Sequence, residues 1–371
     1  MLCQFTFKNV TSYRGETTLT FSDAARGECL LRDGAEVSEV PGAVVAVCGP
    51  SGAGTSAALE ALSALILLVV KPLLALDGEE LRRRGSLPVL PIRPFAFDEQ
   101  SKHQPTELGL VLRCEGIEYR YELAWSDGSI AREALFRGES GAAGRQTLLF
   151  ERRGNEALLG NMPADLRIPE DRVLPRRIPL LACLAAWCDN AEIDALVHWF
   201  MSCRFNHVGV CFYHSCGLSP CEQDELLGSP KEAQRLVSYL DAGIEGVCIA
   251  NGNVVVRRRV GASVHELSLE EESSGVRAAL RLVPSVLASL RAGGLVVADG
   301  LGERLPPEHM KRIAALFRDP RCNVGGGQLL LSARDERHLY EAAFRREELW
   351  RAEKDSVGVS ALRHWDGAGC E

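Results

Sequence analysis

Apolar and polar positions come in short bursts over the first fifty residues. LCQFTFKNV, TTLTF and AVVAVCG each read as a strand, and the third is almost wholly apolar, as a strand covered on both faces should be. From about Thr55 to Val70 the pattern changes. That stretch contains no glycine or proline and is interrupted by Glu60 and Ser63; it predicts a buried helix, closed by Lys71-Pro72 and too short to cross a bilayer. A proline-rich crossing, LPVLPIRPFAF, leads into LGLVLRCEG, EYRYELAWSDG and SIAREALFRG, which read as a β-meander with its turns marked by glycine. Between about Asn161 and Asp241 the period is helical, as in DNAEIDALVHWFMS and SPKEAQRLVSYLDAG. Strands return in EGVCIANGNVVVRRRVGASVHEL, a hairpin turned at Asn251-Gly252-Asn253. A helix from about Ser274 to Leu290, the strand in GGLVVADG, a helix near Pro306 to Phe317 and the strand QLLLS then alternate, which predicts a parallel sheet with crossover helices.

Composition changes this picture little. At 371 residues and 46% hydrophobic, the chain has enough apolar material for a large core and two or three modules. A formal net charge of −8 advertises neither a nucleic-acid nor a membrane surface. MLCQFTFKNV lacks the basic and apolar regions of a secretory signal, and thirteen cysteines is an odd number, so the expectation is a cytoplasmic chain with reduced thiols.

The chemistry begins at CGPSGAGTS. A phosphate-binding loop, G-x(4)-G-K-[ST], wraps phosphates in backbone N–H groups at a helix N-terminus; its lysine reaches the outer phosphates and its hydroxyl ligates Mg2+. Gly49, Gly54 and Ser56 hold their places, Ser51 and Gly52 lie within the loop, and Thr55 stands at the lysine position. An ordinary glycine-rich turn between strand and helix is the alternative reading. Two further stretches support the phosphate loop. LVVADG is an apolar strand ending in Asp299, an acid placed to hold Mg2+ together with Ser56, and Ser273-Ser274-Gly275 opens a helix as a second anion site.

Taken in order, these stretches resemble the AAA-type, ABC/SMC-like ATPases found in overcoming-lysogenization-defect and abortive-infection systems. The likeness runs through FTFKNVTSYRGETTLTF, VVAVCGPSGAGTSAALEALSAL, PFAFDEQSKHQPTELGLVLRCEGIEYRYELAW, TLLFERR and SYLDAGIEGVCI. It is closest in ESSGV, LVVADGLGERLPPEHMKRIAALFRD, QLLLSARD and FRREELWRAEKDSVGVSAL. The resemblance implies an α/β P-loop NTPase fold: an ABC/SMC-like ATPase head with a β-meander lobe and a mostly helical insertion. The corresponding division is 1–160 for the first part of the head, 161–241 for the insertion and 242–371 for the second part. It also implies ATP and Mg2+ held between two heads, self or a paralogue, with the Ser273-Ser274-Gly275 helix of one capping the γ-phosphate on the other. A nuclease or toxin partner and antiphage defence belong to the same implication.

The departures fall where the chemistry would be. Thr55 replaces the loop lysine, Gly300 the glutamate that orients water, and Arg334 the histidine that senses the γ-phosphate; Val276 and Thr11 also differ from the pattern. Phosphoryl transfer at such sites is mostly positioning and charge stabilisation. The expectation is therefore conditional nucleotide binding with little or no turnover, Arg334 supplying some of the lost positive charge. A nucleotide-free scaffold paired with an active ATPase or a nuclease is the alternative.

Two further features carry alternatives. Cys203, His207, Cys211, His214, Cys216 and Cys221, with Cys183 and Cys188 nearby, offer zinc-type ligands, but their spacing fits no standard finger and buried free thiols are the other reading. Arg82-Arg83-Arg84 and Arg257-Arg258-Arg259 are either solvated faces or nucleic-acid contacts.

Overall fold

A computed structural model describes residues 1–21, 42–76, 92–138, 146–160, 166–170, 172–206, 224, 230–250 and 253–365. The chain opens with β1 (Leu2–Lys8), β2 (Thr17–Thr20) and β3 (Val44–Cys48), followed by helix α1 (Thr55–Leu76) and the single turn α2 (Glu99–Lys102). β4 (Thr106–Cys114), β5 (Ile117–Ser126), β6 (Ser129–Gly138), β7 (Gln146–Arg153) and β8 (Glu156–Leu159) form the meander. Helices α3 (Leu180–Trp187) and α4 (Ala191–Ser202), strand β9 (Arg204–Asn206) and helix α5 (Pro230–Leu240) follow. The rest is β10 (Ile244–Ala250), β11 (Asn253–Val260), β12 (Ser263–Ser268), α6 (Ser274–Ala292), β13 (Leu295–Ala298), α7 (Pro307–Arg318), β14 (Gln328–Ala333), α8 (Glu336–Glu341), β15 (Leu349–Lys354) and β16 (Ser360–His364).

Three sheets result. The central one has the order β16-β15-β3-β14-β13-β9, parallel throughout except for β16 at the edge. Its three central strands, β3, β14 and β13, are buried on both faces because both faces are covered. In β3, Val45 and Val47 point into one core, shared with α1, α3, α4 and the meander, while Val44, Ala46 and Cys48 point into the other, shared with α5, α6 and α7. The antiparallel sheet, β2-β1-β4-β5-β6-β7-β8, includes the meander, and β10-β11-β12 form the third. Two meander turns are read directly from Glu115-Gly116 and Asp127-Gly128. All four residues have positive φ, between 50° and 81°, the backbone that a two-residue hairpin turn requires.

Helix α1 differs from expectation at its end. It runs through Lys71-Pro72 to Leu76, so the proline lies inside the helix. The lost N–H bond is offset in part by continuing far enough to bury Leu74 completely. By length and composition Thr55–Ala75 is therefore long and apolar enough to cross a membrane, and 67% of its most apolar window is buried inside the protein.

The stretch expected as an insertion contributes α3 and α4, which pack against α1, and β9, which pairs in parallel with β13. The entry into α3 is organised by Glu133 of β6, which is fully buried. Pro179 caps the helix without a side chain, so the Glu133 carboxylate takes that role and accepts from Leu180 N at 2.6 Å, Leu181 N at 3.0 Å and Tyr121 Oη at 2.9 Å. Burial pushes the Glu133 carboxyl above its ordinary value, against the pull of these donors and of Arg152.

Removing this acceptor leaves two buried N–H groups and a buried phenol unpaired, so Glu133→Ala should cost about 3 kcal/mol or more in urea unfolding. The raised carboxyl means that the folded state holds its proton more tightly than the unfolded chain does. Its contribution is therefore greatest below the unfolded value of 4.5 and declines as pH rises through the folded value. Glu133→Gln should remove that decline; a pH dependence above 4.5 identical to wild type would contradict the assignment.

Candidate phosphate-binding site

The glycine-rich loop joins the C-terminal end of β3 to the N-terminus of α1, with Ser51 and Gly52 exposed. Its shape depends on two glycines. A Cβ on Gly49 would lie 2.5 Å from the Ala352 carbonyl oxygen of the neighbouring strand β15, and Gly54 has φ of +110°. Ala53 N donates to Pro50 O at 2.9 Å and Ala58 N to Gly54 O at 3.1 Å, closing the loop onto the first turn of α1. Tyr13 Oη also donates to Gly54 O, at 3.2 Å. Cys48, just before the loop, is no nucleophile: burial pushes its thiol up to about 12.

Ser56 and Asp299 meet although 243 positions separate them, Ser56 Oγ donating to Asp299 Oδ1 at 3.1 Å. Asp299 follows β13 and is 6% exposed. Its Oδ1 also accepts from Ser332 Oγ of β14 at 2.5 Å, and Ser332 Oγ in turn accepts from Gly300 N at 2.7 Å. Adjacent ligands of an octahedral Mg2+ with bonds near 2.1 Å stand about 3 Å apart, so this hydroxyl and carboxylate have the spacing and chemistry of a Mg2+ ligand pair.

Several participants were not singled out by the sequence. Ser332 was visible only as the end of QLLLS. Glu60 lies one helical turn beyond Ser56 on the same face of α1. Burial and then the Asp299 charge raise its carboxyl above the ordinary value, while Arg93 pulls it down. Arg93 O accepts from Thr11 N at 2.8 Å, and among the described residues Arg93 makes no ion pair. These groups converge through long-range contacts that no local spacing announces.

The positions that depart from the resembled pattern have distinct surroundings. Gly300 sits at φ 66° and ψ 23°, a left-handed conformation that side-chain-bearing residues adopt at a cost. Arg334 is 64% exposed and paired with Glu303, Nε to Oε1 2.6 Å. Ser273 and Ser274 are exposed at the start of α6, where Ser273 Oγ turns back to accept from Val276 N at 3.3 Å. Gly275 lies over the segment after Asp299, a Cβ there reaching 3.6 Å from Arg304 O. The site thus unites Ser56 and Asp299, with the α6 N-terminus presented at the surface.

The other candidates separate cleanly. Each arginine of the second triplet faces a carboxylate. Arg257 pairs with Glu266 at 3.7 Å, Arg258 with Asp241 at 2.9 Å and Glu272 at 2.6 Å, and Arg259 with Glu245. These charges are matched within the protein. Arg82-Arg83-Arg84 and the stretch from His207 to Cys221 lie outside the described residues. Cys183 and Cys203 are buried and Cys188 is half-buried, and no cluster of three metal-type ligands occurs among the described residues.

No family model matches the chain, and no curated protein matches it. Solved structures do. An Smc head bound to the C-winged helix domain of ScpA is 13% identical, with a TM-score of 0.51 over 97% of this chain and 96% of that one. The SMC head domain from Thermotoga maritima is 15% identical over 97% of both chains, with a TM-score of 0.45. An Smc head with an extended coiled coil, bound to the C-terminal domain of ScpA derived from Pyrococcus furiosus, is 12% identical over 97% and 95%, at 0.46. With the parallel core, the antiparallel lobe and the Gly49–Ser56 loop in place, this chain has the α/β fold of an ABC/SMC-like P-loop ATPase head.

Proposed function

We propose that this chain is an ATP-binding head that holds Mg·ATP with little or no hydrolysis. The observation that carries the reading is the 3.1 Å contact between Ser56 Oγ and Asp299 Oδ1 beneath the glycine loop. Gly49, Ser51, Gly52, Gly54, Thr55 and Ser56 supply the cradle. Bound Mg2+ would neutralise phosphate charge, with Ser56 and Asp299 as its protein ligands. Thr55 brings no cation to the β- and γ-phosphates, and Gly300 brings no carboxylate to orient water. Each loss costs on the order of 10²-fold or more in rate by analogy with other electrostatic catalytic groups.

The exposed N-terminus of α6 supports pairing with a second head, a copy of this chain or a paralogue. Ser273, Ser274 and Gly275 then face the phosphate held by the partner. Such a head would act as a regulatory element, in keeping with the defence systems that the sequence resembles and with a nuclease or toxin partner there. The nucleotide-free scaffold is the outcome that a failed titration would select.

In a titration, Mg·ATP should bind the wild type and bind much more weakly when Mg2+ is chelated, because no loop lysine offsets the triphosphate. Thr55→Lys should tighten binding roughly tenfold or more, the range of a hydrogen bond to a charged group, and Asp299→Ala should weaken it. Wild-type hydrolysis should stay at background; robust activity abolished by Asp299→Ala would overturn the reading. Light scattering with Mg·ATP should show a shift toward dimer, alone or with a paralogue, whereas a strict monomer in every mixture would contradict the pairing.

Restoring turnover is constrained by the backbone. Gly300→Glu places a side chain at positive φ and should cost about 1–2 kcal/mol in thermal or urea unfolding. Thr55→Lys with Gly300→Glu should therefore recover activity only from a less stable protein. An undiminished melting temperature would show that Gly300 is free to leave the left-handed region.

A further inference from the structure

Two of the most exposed large apolar side chains, Phe97 at 72% and Val357 at 69%, stand at one corner beside the phosphate loop. Exposed apolar residues are ordinary when scattered and free, but these two are held in place. Phe97 precedes α2 and packs edge-on against buried Phe95, ring centroids 5.6 Å apart, and Phe95 N donates to Asn9 Oδ1 at 3.0 Å. Val357 lies in the β15–β16 turn, where Asp355 Oδ1 accepts from Val357 N at 3.0 Å and Val359 N at 2.8 Å. The two elements touch, since a Cβ on Gly358 would be 3.4 Å from Phe97 Cδ2.

This corner is tied to the end of the loop. Ser360 N donates to Ser12 O and Ser360 Oγ to Ser12 Oγ, both at 2.8 Å. A Cβ on Gly54 would meet Ser360 Oγ at 2.7 Å and Ser12 Oγ at 3.1 Å. Gly358 is two residues from Ser360, a span of at most about 7 Å. A nucleotide whose phosphates lie on the loop therefore has a rigid apolar surface within reach of its base.

We propose that Phe97 and Val357 form the platform for the nucleobase, the Phe97 ring stacking on its face. This inference rests on the nucleotide reading above and names the part of the ligand recognised there. Stacking on an aromatic ring contributes about 1–3 kcal/mol per base and is tolerant of base identity, because every base has a π-face. Purines are accordingly held with little discrimination between adenine and guanine.

The test compares Mg·ATP, Mg·GTP and Mg·tripolyphosphate, which has the phosphates without a base. Phe97→Ala should weaken ATP and GTP by about thirtyfold, the middle of the stacking range, and leave tripolyphosphate within about twofold. Phe97→Trp should keep nucleotide affinity, and Val357→Asp should lower it by disrupting the platform's second side. Thermal melts accompany each variant, and the exposed positions should leave them unchanged. The platform is overturned if Phe97→Ala leaves ATP binding intact, if it weakens tripolyphosphate equally, or if the wild type binds ATP no tighter than tripolyphosphate. If the wild type binds neither ligand, the nucleotide reading itself fails, and the platform falls with it.

Discussion

The Asp299 carboxylate is the point at which two distant parts of the sequence are forced into one site. It lies at the end of β13, accepts from Ser332 at the end of β14, and accepts from Ser56 at the start of α1. Since β3, β14 and β13 run parallel with β14 in the middle, the loop after β3 and the segment after β13 open at the same end of the sheet, and Ser332 of β14 stands between them. A buried carboxylate without such donors would be expensive. The same geometry that satisfies it also arranges a hydroxyl and a carboxylate at a Mg2+ spacing.

A second constraint fastens the antiparallel sheet to the parallel one. Gln328, fully buried at the start of β14, accepts from Leu2 N at 2.5 Å and donates to Leu2 O at 2.9 Å and Gly42 O at 3.0 Å. One amide thereby substitutes for a strand partner at the edge of β1 and leaves none of these backbone groups unpaired. With the Ser12–Ser360 contacts at the opposite end of the turn region, β1 and its following turn are held against the core sheet. The loop, the Ser56–Asp299 contact and the Phe97 corner consequently belong to one packed unit.

Much of this was legible in the residues. The strands around VVAVC, LVVA and QLLLSA are readable because two-sided burial requires continuous apolar runs. The meander is readable because Glu115-Gly116 and Asp127-Gly128 satisfy the backbone of tight hairpins. The loop and Asp299 could be paired in advance because a phosphate site needs both. The end of α1 was misplaced because Pro72 is a strong local stop signal, and it is overridden by the tertiary burial of Leu74. The Arg334–Glu303 pair could not be read in advance because Glu303 lies thirty-one positions earlier, and the 2.6 Å contact exists only in the folded chain.

The least legible part of the site is its rim, for a physical reason. Arg93, Phe95 and Phe97 come from a proline-rich crossing with no period of its own, so nothing in their spacing assigns them a face. Their placement is imposed from outside. Thr11 N binds Arg93 O, while Asn9 accepts from Phe95 N and donates to Ser101 O, Gln104 O and Pro105 O at 2.8 to 3.3 Å. Asn9 can do this because it leaves β1 at φ 53°, a conformation that asparagine tolerates better than most residues, turning its amide toward the crossing. Asn9 and Thr11, at the end of the first strand, thus fix where an arginine and an exposed phenylalanine stand relative to the loop. Under the proposed function, the loop would cradle phosphates and the crossing pinned by Asn9 would hold whatever lies beyond them.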